Sequence, residues 1–177
     1  MSAPLLTLPR ALAALLAVSI ALVLQASLFS HLAVGGVVPD LVLLVVVGIA
    51  LAYGSEVGMV LGFGAGLLLD LAPPADHVAG RWALALMVVG YVAGRLATSG
   101  RPRLSQWLPV AAASAFVGTS IFALSGLLLQ DPAVGVGELL RVEAVTMVYD
   151  LALALVVVPL TLALFAKVEP DRVLAPR

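Results

Sequence analysis

The chain has no cysteine among its 177 residues, which excludes disulfide bonds, thiolate metal sites and thiol catalysis. Charged residues are also scarce, at 11%, whereas 63% of the residues are hydrophobic and the mean hydropathy is +1.19. Globular domains average about 25% charged and about 45–50% apolar residues. A water-soluble domain of this size is therefore excluded, and the composition predicts a polytopic membrane protein.

Residues that carry chemistry are few as well. His31 and His77 are the two histidines, and their positions on separate predicted loops do not suit a metal site. Asp70 follows three leucines, so the Gly-x-Gly-Asp pattern of intramembrane aspartyl proteases is absent. Ser125-Gly126 lacks the preceding glycine of a rhomboid-type serine site. No glycine-rich run continues into the Lys-Ser/Thr of a phosphate-binding loop. We therefore expect no catalytic residues, no metal and no cofactor.

Long apolar runs separated by polar turns predict an all-α helical bundle rather than a β-barrel. We expect a single integral membrane domain over residues 1–177 with six transmembrane helices, at about residues 11–30, 40–54, 57–71, 81–97, 107–130 and 144–166. Residues 40–70 are the ambiguous stretch. One helix there would be about 45 Å long, which exceeds a hydrocarbon core of about 30 Å, whereas two helices would each be only about 21–24 Å long.

The distribution of basic residues favours six spans. With both termini inside, seven of the nine Lys and Arg residues fall on the inner side, and only Arg81 and Arg141 fall outside. Five spans give three inside and six outside, or six and three if the N-terminus is outside. Because cytoplasmic loops are rich in Lys and Arg, the sequence predicts six spans with cytoplasmic termini.

Glycines repeat at four-residue spacing in two places. On a helix, residues four apart share one face, so such glycines form a strip that lets a second backbone approach closely. Leucine at Gly62 or Gly66 is expected to damage assembly more than leucine at Gly48, which lies outside the strip. Whether the strip packs inside the bundle or against a partner stays open. The candidate packing or interface residues are Gly54, Gly58, Gly62, Gly66, Gly90 and Gly94.

Three acids within or beside apolar helices are candidate polar sites. Asp40 follows a proline at a predicted helix start, where it is expected to cap that helix. Asp70 ends the glycine strip at a helix C-terminus, which is unfavourable for an acid, and Arg81 is its nearest candidate partner. Asp150 lies about two turns inside an apolar helix and should face Arg81, Arg141 or the hydroxyls of the fifth span. A structural role and a ligand or proton role for Asp150 both remain open.

One set of residues matches a pattern found in a known family: Pro39-Asp40-Leu41, then Gly58, Gly62, Phe63, Gly66, Leu67 and Asp70, then Gly80 and Gly90-Tyr91. With these residues the chain resembles the MreD family of rod-shape-determining membrane proteins. The resemblance covers nearly the whole chain and is most specific over residues 39–95, and the number and length of the predicted spans fit it too.

The resemblance implies a non-enzymatic scaffold subunit of the bacterial cell-elongation complex for peptidoglycan synthesis, in the cytoplasmic membrane. MreC is the direct partner that it implies, with MreB, RodA and a class B penicillin-binding protein in the same complex, and no nucleic acid. The fold it implies is similar to the S-components of energy-coupling-factor transporters. An alternative is therefore a small-solute-binding transporter subunit. A solute receptor should carry aromatic residues around an outer pocket, and the 6% aromatic content favours the scaffold.

Overall fold

The computed structural model describes residues 7–33, 37–73, 78–98, 102–129 and 136–168. These residues are almost entirely helical. A short 3-10 helix, Phe29–Leu32, follows the first of six α-helices: α1 Leu8–Ser27, α2 Leu41–Tyr53, α3 Ser55–Leu71, α4 Arg81–Arg95, α5 Leu104–Leu128 and α6 Val136–Val168.

Helix α2 is the centre of the bundle. All 13 of its residues are buried, and it contacts each of the other five helices, which surround it in the order α1, α3, α4, α5, α6. Its sequence contains only apolar residues, glycine and a terminal tyrosine, and a helix that is apolar on every side lies either in a protein core or in a membrane span. The shortest of the six α-helices is therefore the one on which the others pack.

Gly54 separates α2 from α3 and settles the ambiguous stretch as two helices. Its φ of 93° is a conformation that favours glycine. A Cβ placed on Gly58 would lie 2.6 Å from the Cβ of Ala50, whereas eight residues of one continuous helix would separate these positions by about 12 Å. The chain therefore folds back at Gly54, which is a helix break and not a member of the α3 strip.

One end of the bundle, the terminal end, contains the start of α1 and the end of α6. The ring of Tyr53 packs edge-on against Phe165 with centroids 5.4 Å apart, and the guanidinium of Arg10 lies 5.2 Å from the Tyr53 ring centroid. These contacts join the last residue of α2 to the first turn of α1 and the last turns of α6. Successive helices therefore run in opposite directions.

The opposite end, the cap end, contains the first residues of α2 and α4. The Asp40 N–H donates to Asp150 in the first half of α6, and Arg81 packs on Phe122 near the end of α5. Asp70, the penultimate residue of α3, is at this end as well, because α3 runs antiparallel to α2. Four buried charged residues therefore lie at this end: Asp40, Asp70, Arg81 and Asp150.

Within the described part of the chain, three helical segments are long and apolar enough to cross a membrane: Leu8–Ser27, Leu104–Leu128 and Arg141–Lys167. Helices α2, α3 and α4 are shorter, at 13, 17 and 15 residues. Helix α6 begins at Val136, eight residues before the predicted start of the sixth span. The stretch from 138 to 143 consists of Glu, Leu, Arg and Val, most of which favour helix, so it continues α6 instead of forming the predicted loop.

Candidate functional site: a glycine seam and two cross-helix caps

Glycines on α3 place its backbone directly against α4. A Cβ on Gly62 would overlap the carbonyl oxygen of Leu86, and a Cβ on Gly66 would lie 2.5 Å from the Cα of Ala83. Real Cβ atoms do not approach backbone this closely, so a larger side chain requires the two helices to separate. Gly62 and Gly66 therefore pack inside the bundle, which answers the question that the sequence left open.

The contact continues toward the terminal end through facing glycines. Gly58 and Gly90 lie opposite each other, since a Cβ on either would overlap the carbonyl oxygen of the other. A Cβ on Gly94 would overlap the Ser55 nitrogen and the carbonyl carbon of Gly54. We call this contact the glycine seam, and its members on α3 and α4 are Gly58, Gly62, Gly66, Gly90 and Gly94.

Gly48 and Gly64 show where the seam ends. A Cβ on Gly48 would lie 2.7 Å from the Cβ of Thr161 on α6, so Gly48 is also tightly packed and is not a neutral comparison site. Gly64 lies on the exposed face of α3, and a Cβ there would meet nothing within 4 Å. Gly64 is therefore the matched control for substitutions in the seam.

Asp70 caps the N-terminus of α4 from the end of α3. Its Oδ2 accepts hydrogen bonds from the N–H groups of Gly80 at 2.8 Å and Ala83 at 3.0 Å, and its Oδ1 accepts from the N–H of Trp82 at 3.1 Å. The first N–H groups of a helix have no partner within the helix, and the positive end of the α4 dipole favours a carboxylate. Asp70, which is 2% exposed, therefore meets a helix N-terminus that offsets its unfavourable position on α3.

Arg81 joins the start of α4 to the end of α5. Its Nη2 donates to the Phe122 carbonyl oxygen at 2.8 Å and its Nε donates to Ser125 Oγ at 3.2 Å. The guanidinium carbon also lies 4.0 Å from the centroid of the Phe122 ring, which is a cation–π geometry. A Cβ on Gly126 would overlap Arg81 Nη2, so that glycine leaves room for the guanidinium. Ser125 and Phe122 are partners that the sequence did not indicate.

The N-terminus of α2 is capped by side chains from two other helices. Asp150 Oδ1 on α6 accepts from the Asp40 N–H at 2.7 Å, and Gln25 Oε1 on α1 accepts from the Val42 N–H at 3.1 Å. The Asp40 side chain caps nothing in its own helix, so the prediction that it does was wrong. It accepts a hydrogen bond at 3.4 Å from Gln25 Nε2. Gln25 already accepts from the Val42 N–H, which is one of the two donors that an N-cap side chain would bind.

The hydrogen bond from the Asp40 N–H explains why Asp150 lies within an apolar helix. Asp150 is fully buried and supplies the acceptor that the first N–H of the α2 terminus needs. Its partner is a backbone group, not the arginines or span-five hydroxyls predicted from the sequence. Its Oδ2 is buried without a hydrogen-bond partner. About two turns earlier on α6, Glu143 Oε1 accepts from Thr119 Oγ1 of α5 at 2.6 Å, which adds a polar contact between α5 and α6.

We expect replacement of Asp150 by leucine to lower the melting temperature in detergent, whereas asparagine should leave it nearly unchanged. Leucine leaves the buried Asp40 N–H without an acceptor, which costs about 1–3 kcal/mol. Asparagine keeps a carbonyl oxygen at the same place. Val148→Leu, on the exposed face of α6, is the control. Equal decreases in melting temperature for the leucine and asparagine variants would show that this hydrogen bond does not stabilise the bundle.

The two caps and the glycine seam are used by the chain itself. Among the described residues no group of three His, Asp or Glu side chains is placed to hold a metal ion. The carboxylates of Asp70 and Asp150 accept hydrogen bonds from the N-terminal ends of α4 and α2. This arrangement defines an α-helical bundle of the membrane-protein type, with membrane-length helices and internal polar groups that hold short helices in place.

The chain belongs to the MreD family, whose description is rod shape-determining protein MreD and whose profile matches residues 7–168. Membership implies a role in rod-shape determination at a membrane, and it confirms the family resemblance read from residues 39–95. No curated protein and no solved structure matches the chain.

Proposed function

We propose that this chain is a non-catalytic membrane subunit of the bacterial cell-elongation complex, with MreC as its direct partner. Through MreC it would link the MreB cytoskeleton to RodA and the class B penicillin-binding protein that synthesise peptidoglycan. The observation that carries the proposal is that the buried carboxylates of Asp70 and Asp150, the best candidates for chemistry, hydrogen-bond helix N-termini of the chain itself. Recognition is then left to the outward faces of the helices.

Those outward faces are apolar. Large exposed side chains cover α1, α3, α5 and α6, with Ile20, Phe63, Phe116 and Leu160 each 46–67% exposed. In a bilayer such faces contact lipid or a neighbouring transmembrane helix, where association depends on close packing. A partner with a membrane-spanning segment, as MreC is expected to have, fits a bundle whose surface offers mainly helix faces.

The test is retention of MreC by the tagged protein in mild detergent, combined with a photo-cross-linking amino acid at Ile20, Phe63, Phe116 or Leu160. We expect MreC to copurify and to cross-link from one face or from two adjacent faces. The same variants in cells that lack MreC are the control. Loss of rod shape on depletion would agree with the proposal. Tight binding of a vitamin-like solute without retention of MreC would replace it with the transporter-subunit alternative.

We also propose that all six helices cross the cytoplasmic membrane and that the terminal end is cytoplasmic. Described basic residues at the terminal end outnumber those at the cap end by four to two, as the positive-inside rule requires. The terminal-end residues are Arg10, Arg95, Arg103 and Lys167, and the cap-end residues are Arg81 and Arg141.

Single cysteines in this cysteine-free chain would test the topology. Val78 at the cap end and Thr98 at the terminal end are both exposed, so either cysteine is accessible to a reagent on its own side. We expect a membrane-impermeant maleimide added to intact spheroplasts to label Val78→Cys and to spare Thr98→Cys until the cells are lysed. Labelling of Thr98→Cys from outside would contradict the orientation.

A further inference from the structure

The outward apolar surface of the bundle differs in height from one side to the other. On α1 and its C-terminal cap residue the exposed large apolar residues extend from Leu8 to Leu28, and on α6 they extend from Val142 to Leu164. At about 1.5 Å per residue these bands are about 30 Å and 33 Å high, which matches a hydrocarbon core of about 30 Å. The band on α5, from Leu104 to Leu128, is about 36 Å by the same rise.

The bands on α3 and α4 are much shorter. On α3 the exposed large apolar residues begin at Met59 and end at Leu71, and on α4 they begin at Leu84 and end at Leu96. Each band covers twelve residue steps, or about 18 Å. Exposed Glu56 lies just beyond the α3 band at the terminal end.

Among the described residues, neither α3 nor α4 is itself long enough to present an apolar band as tall as that on α1. Helix α3 ends at Leu71 and α4 begins at Arg81, so the whole helices are only about 24 Å and 21 Å long. Tilting shortens the height that a helix spans. Sliding one helix along the other is opposed by the glycine seam, because each seam glycine faces a particular backbone group of the other helix.

We propose that the α3–α4 face contacts a locally thinned bilayer, so that the membrane is several ångströms thinner on this side of the protein than beside α1. The occupant of the face is bilayer lipid with its chains compressed or disordered. A hydrophobic stretch shorter than the bilayer is accommodated by thinning, with an energetic penalty that rises with each ångström of mismatch. The inference rests on the proposed crossing of the membrane by α3 and α4, and its test distinguishes failure of one from failure of the other.

The experiment compares two faces of one protein in one bilayer. Single cysteines in the full-length chain, at Met59, Phe63, Leu67 and Leu71 on α3, carry a nitroxide label. A matching series at Leu12, Leu16, Ile20 and Leu28 covers α1. After reconstitution in dioleoylphosphatidylcholine vesicles, the relative accessibility to oxygen and to a polar nickel chelate gives the depth of each label. We expect the two membrane–water boundaries to be at least about 5 Å closer together along α3 than along α1.

A second variant changes the height of the band directly. Replacing Glu56, which is exposed at the terminal end of α3, with leucine extends the α3 band beyond Met59 by three residue steps, or about 4.5 Å. We expect this variant to move the boundary outward along α3 by a similar distance and to leave the α1 series unchanged. Equal boundary separations on α1 and α3 of the unmodified chain would overturn the thinning. Labels on α3 that all report the same aqueous side would overturn the crossing itself, and the inference with it.

Discussion

Leucine at Gly62 should prevent α3 and α4 from packing and cause most of the protein to be lost from the membrane. The carbonyl oxygen of Leu86 occupies the space that a Cβ on Gly62 would need. Overpacking a core costs about 1–3 kcal/mol where side chains can adjust. A backbone carbonyl can move only with its helix. The decrease in the free energy of unfolding for Gly62→Leu should therefore reach or exceed the upper end of that range. Melting temperature in detergent and the amount of protein in membranes both measure it.

The control for this prediction is leucine at Gly64. Both glycines lie on α3, but a Cβ on Gly64 would meet nothing within 4 Å. Both substitutions have the same effect on local helix propensity, so the difference between the two variants isolates the seam. Gly62→Ala should give an intermediate loss, because its single methyl group already overlaps the carbonyl. Similar melting temperatures for Gly62→Leu and Gly64→Leu would show that the seam has no special role.

The seam could be predicted from the sequence because its signal is local. Gly58, Gly62 and Gly66 repeat every fourth residue, and that spacing alone defines a helix face with no side chains. The partner of the face carries a matching but weaker signal in Gly90 and Gly94. Only the structure shows that each glycine meets a particular backbone group of the opposite helix, since that register depends on the length of the connection from Leu71 to Arg81.

The central position of α2 had no such signal. Its residues predicted a short apolar span. Apolar membrane helices have similar sequences whether they face lipid or protein, so the sequence did not indicate that α2 is central. What distinguishes α2 is that 13 residues give only about 20 Å of helix. Lipid-facing positions on all sides would leave such a helix poorly matched to a bilayer, so it is more stable when surrounded by longer neighbours. Gly54, assigned to the glycine strip from its spacing, is instead the break that allows α2 and α3 to fold back on each other.

The cap on the N-terminus of α2 was the least predictable feature of the site. Asp40 and Asp150 are 110 residues apart, and Gln25 is 17 residues from Val42, so no sequence period connects them. A physical requirement could have pointed to them. Helices that end inside an apolar environment leave N–H groups that water cannot reach, and each needs an acceptor from elsewhere in the protein. Isolated polar residues such as Gln25 and Asp150 in apolar helices are the natural suppliers.

The caps on α2 and α4 are a consequence of the short length of these two helices. Because α2 and α4 are short, their N-termini lie within the bundle beside α1, α3 and α6, which supply Gln25, Asp70 and Asp150. The same shortness of α3 and α4 produces the low apolar face proposed to thin the bilayer. A change that lengthened these helices would therefore leave the buried carboxylates of Asp70 and Asp150 without helix ends to cap. It would also increase the height of the exposed apolar band on α3 and α4. Helix length, more than any single polar residue, determines the arrangement of this bundle.

Alanine at Asp70 should be among the most destabilising single substitutions in the chain. It removes the acceptor for three backbone N–H groups, those of Gly80, Trp82 and Ala83. Each buried donor left unpaired costs about 1–3 kcal/mol, and the positive end of the α4 dipole also loses its carboxylate. Asparagine retains one oxygen but turns an NH₂ group toward the remaining donors. The decrease in stability for Asp70→Asn should therefore be smaller than that for Asp70→Ala but still measurable.

Two measurements separate this cap from a general effect of removing a negative charge. Glu56→Ala removes an exposed acid from the other end of α3 and should leave the melting temperature nearly unchanged. Hydrogen exchange should accelerate at the Trp82 and Ala83 amides in Asp70→Asn, while the amides in the middle of α2 stay protected. The start of α4 then frays before the rest of the bundle unfolds, because only its terminal hydrogen bonds have been weakened. Unchanged exchange at Trp82 and Ala83 would mean that Asp70 does not hold the N-terminus of α4.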